Sequence, residues 1–479
     1  MTVLSPSDPA AQGVDASGVL AFLDALEAAP GIEPHSLMIV RHGRLVASGW
    51  WAPYTPGRPQ LLYSLSKSFT GTAAALAEAE GLLDFDAPVL SYFPEFEADI
   101  TDPRSRAMLV RHVASMASGH ERETVEEAYA RDPAEPVRGF LLLPPDRDPG
   151  TVFAYNQPTT YTLAAIVQRV TGLPLSEYLR PRLLDPLGIG KVVWRHDHTG
   201  RELGFSGLYA PTDAVARLGQ LYLSDGVWEG ERLLPQGWAA RASRPHIPTA
   251  GAMGDGGWDD WNQGYGHQFW ISRHGYRGDG AYGQFCLVLP EQDAVIAATA
   301  ETTERMQEYL NLVWKHLLPA FGPEPLPGRE AADAELRERL DRLALPPAPG
   351  RPAPPERAEE WAAAEFTPSG GPGPVRAAGL APDADGWTLT LTEEGREGRL
   401  DLRLGGAPGW TVAEEPLPTA VSGGWTDAGT LAVEVAFLET PHRLALTCSL
   451  ADRTLTAHWR TQPLHGRGFT DQRVPRGSV

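Results

Sequence analysis

The chain has 479 residues, 42% of them hydrophobic and 21% charged, with a formal net charge of −20. This is the composition of a globular protein long enough for two or three domains. The acidic balance excludes nucleic acid as a partner, since phosphates need a basic footprint, and it argues against anionic membrane surfaces.

No apolar run reaches the ~18 residues of a membrane span. The N-terminus has no basic stretch followed by an apolar one, so no secretory leader is read there. Cys286 and Cys448 are the two cysteines, far apart in sequence. They suit a reducing, cytoplasmic setting better than a disulfide framework. Neither a metal-ligand spacing nor a cofactor motif is read from the sequence.

No internal repeat is found. Residues 36–40 and 44–50 are predicted to form a β-hairpin about His42-Gly43. An alanine-rich, proline-free run after Ser64, ending near Glu80-Gly81, predicts a long helix. Residues 82–93 are predicted to be an extended connector in which Asp84 and Asp86 shape a turn. Helices are expected over 108–116, 161–171 and 213–223, and core strands over 284–290 and 294–299. A terminal helix is expected over 306–318. From Gly322 the composition changes. Prolines at 323, 325 and 327 and again at 346–355 bracket a charged helical stretch, 329–343. Residues 323–355 are therefore a predicted linker between a first unit, 1–322, and a second, 356–479. The second unit has strand-like segments at 387–391, 399–404, 431–437, 444–450 and 454–459. Their spacing of about 8–12 residues marks an antiparallel sandwich or barrel.

Among the 41 lysines and arginines only Lys67, Lys191 and Lys315 are lysines. Lys67 stands three residues after Ser64, in Tyr63-Ser64-Leu65-Ser66-Lys67. Arginine stays protonated in any protein setting, whereas a buried lysine can lose its proton and act as a base. Residues i and i+3 share a helix face, so the Ser64 hydroxyl and the Lys67 amine can meet. A helix N-terminus there favours an alkoxide and penalises a charged lysine. Alone, the pattern fits a serine cap beside a solvated lysine equally well.

Two further motifs follow. Tyr155-Asn156-Gln157 precedes a helix, and Gly278-Asp279-Gly280-Ala281 leads into an apolar strand. The three motifs stand in the order of the serine β-lactamase and penicillin-binding-protein superfamily, which residues 10–320 resemble. The flanking segments 63–72, 80–88, 110–119, 164–172 and 184–188 resemble it too. The likeness is closest to class C β-lactamases and their esterase, D-amino-acid-peptidase and nylon-oligomer-hydrolase relatives. It implies an α/β (α+β) domain of β-lactamase/transpeptidase type, with an antiparallel sheet flanked by helices. The C-terminal all-β unit resembles the lipocalin-like modules attached to some relatives. The resemblance also implies acyl transfer through a serine ester. Ser64 would be the nucleophile, and Lys67 and Tyr155 would share the general-base work, with Tyr155 returning the proton to the leaving group. The backbone N–H groups of Ser64 and Ala281 would form the oxyanion hole. Tyr155 suits that role only if a cation such as Lys67 lowers its pKa, so the two are expected to titrate together.

Two departures bear on substrate choice. The second motif in relatives ends in asparagine; here Gln157 stands there, and the adjacent Asn156 is expected to substitute in part. The third motif in relatives opens with a cation that binds a substrate carboxylate. Here Gly278 takes that place, Asp279 would repel a carboxylate, and Arg277 is the nearest cation. A neutral or cationic ester or amide is therefore favoured over a β-lactam, and Gly278→Lys is expected to shift the preference back. Asp279, Gly280, Gln157 and Asn156 are the candidate substrate-binding residues. Trp258, Trp261, Tyr265, Phe269 and Trp270 line an apolar acyl pocket or pack as core aromatics. His112 and His120 are expected to be structural. The expected partner is a small-molecule or peptide substrate. The alternatives are a penicillin-binding-type thioesterase or peptide cyclase, a D-amino-acid peptidase, and a non-catalytic descendant that binds a ligand in the cleft. Against the last, a binder has no need of the rare lysine.

Overall fold

The computed structural model describes residues 4–475 except 252–256, 371–372, 385, 397, 405–408 and 467. In the first unit, α1 (Ala16–Ala28) leads into β1 (Ile32–Arg41) and β2 (Arg44–Trp50). Then come α2 (Ser66–Ala79), α3 (Gln157–Thr171) and α4 (Thr212–Leu223). The strands β3 (Trp270–Ile271), β4 (Tyr276–Gly280), β5 (Gln284–Leu289) and β6 (Ala294–Thr302) follow, and then α5 (Met306–Leu312). The sheet order is β2-β1-β6-β5-β4-β3, antiparallel throughout.

Both faces of this sheet are covered, so successive side chains divide between two cores. Met38 and Val40 face α2, α3 and α4, whereas Leu37 and Ile39 face α1 and α5. The strand β1 begins four residues before the hairpin expected from sequence. Its four added residues, Ile32, Glu33, Pro34 and His35, carry no alternating apolar signal, yet all are buried. The expected terminal helix is α-helical only over α5, after which Val313–Leu317 forms a wider turn.

The charged stretch after Gly322 forms α6 (Glu330–Asp341). It lies on α1 and β2, with Leu336, Leu340 and Leu343 buried in the first unit's core. Arg339 donates to Glu27 at 2.5 Å.

The second unit is a nine-stranded sheet curled into a nearly closed barrel. Its strands are β7 (Glu365–Pro368), β8 (Val375–Asp383), β9 (Gly386–Glu393), β10 (Arg399–Leu404) and β11 (Thr411–Ala413). β12 (Thr419–Trp425), β13 (Thr430–Phe437), β14 (Arg443–Ser449) and β15 (Thr454–Trp459) complete it. The order is β10-β9-β8-β7-β15-β14-β13-β12-β11, and β10 at one edge comes back against β12 and β11 at the other. Closure of this kind removes exposed strand edges. The five predicted strands are present. β8 and β12 were missed because glycines, alanines and a proline break their alternation (Val-Arg-Ala-Ala-Gly-Leu-Ala-Pro-Asp and Thr-Ala-Val-Ser-Gly-Gly-Trp). Among the described residues no helix is long and apolar enough to cross a membrane.

Candidate active site

Ser64 lies in a short 3-10 turn, Tyr63–Leu65, that runs directly into α2. Tyr63 has φ of +48°, a left-handed conformation that costs a non-glycine residue about 1–2 kcal/mol. Twelve of the fourteen residues of α2 are buried. The alanine run keeps this helix slim enough to sit in the centre of the unit.

That position buries Lys67, which is 1% exposed. Its Nζ lies 3.1 Å from Ser64 Oγ, 2.6 Å from Gln157 Oε1 and 2.7 Å from the Phe205 carbonyl oxygen. Burial drives its pKa down to about 7, although the charges of Glu123 and Asp279 pull it upward. An ammonium has three donors and a neutral amine two, plus a lone pair. With its two N–H bonds on Gln157 and Phe205, the neutral amine turns its lone pair to the Ser64 hydroxyl.

Tyr155 stands half-buried beside this pair. Lys67 Nζ lies 4.9 Å from its ring centroid, over the face. Trp270 stacks on the ring at 5.3 Å. The expectation of a lowered tyrosine pKa is overturned. Burial raises it and so does the charge of Asp279, while a hydrogen bond with Ser64 only partly opposes them. Tyr155 therefore keeps its proton, and Lys67 is the group able to be neutral near pH 7.

The third motif forms the end of β4, laid against the Ser64 turn. A Cβ on Gly280 would fall 2.1 Å from the Leu62 carbonyl oxygen. One on Gly278 would fall 2.5 Å from both Leu65 Cδ1 and Ser68 Oγ. Gly280 is thus needed for the close approach of β4 to the backbone before Ser64, whereas a side chain at 278 would displace the ends of Leu65 and Ser68. A lysine at position 278 would meet the ends of these two side chains, which must shift to admit it, so Gly278→Lys restores a cation only with that rearrangement. Asp279 and Arg277 share the other face of β4. Arg277 Nε donates to Asp279 Oδ2 at 2.9 Å, and its guanidinium lies 4.2 Å from the Trp261 ring centroid. Arg277 is fully buried and also bonds the Asp260 carbonyl and Ser272. It is a partner for Asp279, not a free cation in the vacant place. Burial raises the Asp279 pKa against the pull of Arg277 and Lys67.

The remaining predicted residues divide clearly. Gln157 reaches Lys67, as above. Asn156 is buried, and its Oδ1 accepts from the Thr124 backbone N–H and hydroxyl. It anchors the start of α3 and is not turned to the cleft. Trp258 is half-buried and lines a cavity of about 940 Å³ that also meets Ala281, Tyr282, Met306, Arg460 and Leu464. Trp261 is buried beneath Arg277, while Tyr265 and Trp270 back Tyr155. His112 caps the helix Val110–Ala114, accepting from the Leu109 N–H. His120 joins Ser118 and the Leu143 carbonyl. Asp84 accepts from the Asp86 N–H in a turn. All three are structural contacts.

Sequence reasoning missed four contributors. Phe205 offers only a carbonyl, which no residue pattern announces. Glu123 accepts from the Gln157, Thr124 and Val125 N–H groups, and its charge acts on Lys67. His465, from the barrel, has its ring 6.1 Å from those of Phe205 and Tyr63. Burial, then the charges of Arg195 and Lys67, hold its pKa at about 4. Tyr63 and its partner His442 are the fourth. The last two sites join residues hundreds of positions apart and carry no local signal.

An antiparallel sheet covered on both faces, with a buried lysine facing a serine at the head of the central helix, defines a β-lactamase-like α/β domain. The chain belongs to the beta-lactamase family, whose model matches residues 21–318. It is 30% identical over 285 residues to the 6-aminohexanoate-dimer hydrolase of Paenarthrobacter ureafaciens, covering 54% of this chain and 71% of that one. It is 28% identical over 210 residues to esterase EstB of Burkholderia gladioli, covering 38% and 53%. The crystal structure of SurE shares the fold across both units: TM-score 0.50, 19% identity, 90% of this chain and 98% of that one.

Proposed function

We propose that the protein is a serine hydrolase that cleaves an ester or amide of a small molecule or peptide through a covalent acyl-enzyme. One observation carries this: the buried Lys67 amine, with its pKa near 7, lies 3.1 Å from Ser64 Oγ. Lys67 takes the Ser64 proton as Oγ bonds to the substrate carbonyl carbon. The backbone N–H groups of Ser64 and Ala281 receive the developing oxyanion. Collapse of the tetrahedral intermediate breaks the bond to the leaving group, which takes its proton from the neutral Tyr155 hydroxyl. Lys67 then returns a proton to Tyr155, and water repeats the cycle on the acyl-enzyme. The esterase and dimer-hydrolase relatives support hydrolysis as the reaction class. We also assign the enzyme to the cytoplasm, because its two cysteines are buried in separate units and no disulfide framework supports the fold.

The substrate is neutral or cationic at its far end. Asp279 and Glu123 flank Lys67, and Arg277, the arginine next to Gly278, is engaged by Asp279. A carboxylate there meets acids where a cation would attract it. Unit charges at such range interact by about 1–4 kcal/mol.

The test is labelling with a fluorophosphonate, followed by kcat/KM for a short-chain ester and a chromogenic cephalosporin. Native protein should label at Ser64 and Ser64→Ala should not, with the ester strongly preferred. Labelling that persists in Ser64→Ala removes the nucleophile assignment. A cephalosporin rate near that of the ester removes the charge preference.

A further inference from the structure

The segment that delivers Ser64 is held by the C-terminal barrel. Arg58 pairs with Glu414 at 2.6 Å, Gln60 Nε2 donates to the Leu438 carbonyl at 2.5 Å, and the Leu61 N–H donates to the Glu439 carbonyl at 2.9 Å. The last of these contacts falls on Tyr63, the residue before the nucleophile. Its hydroxyl meets His442 Nε2 at 2.5 Å, and both side chains are fully buried. His442 lies in the loop between β13 and β14. Its Nδ1 meets the Thr461 carbonyl oxygen at 3.1 Å and the Thr461 hydroxyl at 3.0 Å. That hydroxyl in turn donates to Glu301 Oε1 at 2.6 Å, on β6 of the first unit.

The donors in this chain run one way. Burial holds the His442 pKa down to about 3, so the ring is neutral. With Nδ1–H donated to Thr461, Nε2 is left as an acceptor. The Tyr63 hydroxyl, whose own pKa burial raises, donates to it. The path leaves the first unit at Tyr63, crosses two barrel residues and returns at Glu301. Tyr282, in the turn that carries Ala281, packs edge-on against the Tyr63 ring at 5.3 Å and donates to the Gln462 carbonyl of the barrel. The left-handed backbone at Tyr63 is a strained conformation, of the kind that persists only where surrounding contacts over-determine it. Here both units supply those contacts: Ser66 Oγ donates to the Tyr63 carbonyl at 2.6 Å, and the barrel takes the Tyr63 hydroxyl.

We propose that His442 is a positioning residue for the nucleophile: by accepting the Tyr63 hydroxyl it holds the turn that aims Ser64 Oγ at Lys67. The proposal rests on Ser64 being the nucleophile. It gives the barrel a part in the chemistry, although no barrel atom bonds the substrate in this step.

The test uses the full chain and the variants Tyr63→Phe, His442→Phe, His442→Gln and the double Tyr63→Phe/His442→Phe. The readouts are kcat and KM for a short ester, the rate of fluorophosphonate labelling at Ser64, and Tm. Tyr63→Phe removes one oxygen and should lower kcat and the labelling rate about tenfold, the scale of one buried hydrogen bond, with KM within about twofold. His442→Phe should do the same, and the double variant should be no slower than either single one. His442→Gln, whose side-chain oxygen can accept from Tyr63, should recover part of the rate. If His442→Phe fails to fold, Tyr63→Phe and His442→Gln decide the matter. Native labelling and kcat in Tyr63→Phe, or additive losses in the double variant, would overturn the proposal while leaving Ser64 as nucleophile. If native protein does not label at Ser64, the functional assignment fails and the proposal falls with it.

Discussion

Lys67 must be neutral to accept a proton, and its surroundings make that possible near pH 7. The native state holds this proton less tightly than the unfolded chain does. The group's contribution to stability therefore rises with pH from about 7 towards the usual 10.5. Activity should follow the same group, with kcat/KM for an ester rising through a midpoint near pH 7. Lys67→Arg keeps the charge but has no accessible neutral form, so it should lose roughly 10²-fold or more in rate. A flat profile between pH 6 and 8, or a near-native rate in Lys67→Arg, would show that the lysine is only a fixed charge. Tyr155 fits the proposed mechanism: the burial that lowers the lysine pKa raises that of the phenol, which suits the two to the opposite roles proposed for them.

At the scale of elements, the site is a close contact between the head of α2 and the end of β4. The contact is this close because residue 280 has no side chain, a Cβ there falling on backbone. Gly280→Ala would drive a Cβ into the Leu62 carbonyl oxygen, and backbone on both sides leaves nothing flexible to yield. Such overpacking costs about 1–3 kcal/mol. A displacement of about 1 Å at the reacting groups costs on the order of 10²-fold in rate. Gly280→Ala should therefore fold with a lowered Tm and label at Ser64 roughly 10²-fold more slowly. Native labelling in this variant would mean that Ala281 does not depend on that approach.

At the scale of the molecule, the two units meet through buried charges. Glu33 on β1 accepts from Arg443 and Arg460 of the barrel, each at 2.5 Å. Burial pushes the Glu33 pKa up, but its hydrogen bond with His35 and the charges of Arg443 and Arg460 more than reverse this, so it stays ionised. Nearby Glu301 moves the other way, to about 8, because burial and the Glu33 charge both disfavour its ionised form. A carboxyl that binds its proton more tightly when folded contributes stability below its usual pKa of 4.5, and that contribution is lost as pH rises through about 8. Glu301→Gln, which copies the protonated form, should gain on the native protein in Tm as pH goes from 6 to 9. A Tm difference independent of pH over that range would show that Glu301 ionises freely in the folded state. The same carboxyl ends the chain that begins at Tyr63, so the docking of the barrel and the hold on the Tyr63 turn share a residue.

Three ordered motifs were enough to single out Ser64, Lys67 and Tyr155 as a group, which the structure brings together, and the helix period puts the first two on one face. Apolar runs likewise marked β5 and β6, which are buried on both faces, and alternation marked five barrel strands, since a half-buried strand must repeat every two residues. Tertiary structure alone decided the rest. The pKa of Lys67 and that of Tyr155 depend on burial and on Glu123 and Asp279, which reach the site from separate elements. The engagement of Arg277 by Asp279 and Trp261, and the burial of Asn156 against Thr124, follow from packing that no spacing encodes. The grip of His442 on Tyr63 joins residues 379 positions apart, and such a contact is set by the docking of two folded units, after local sequence has specified each of them.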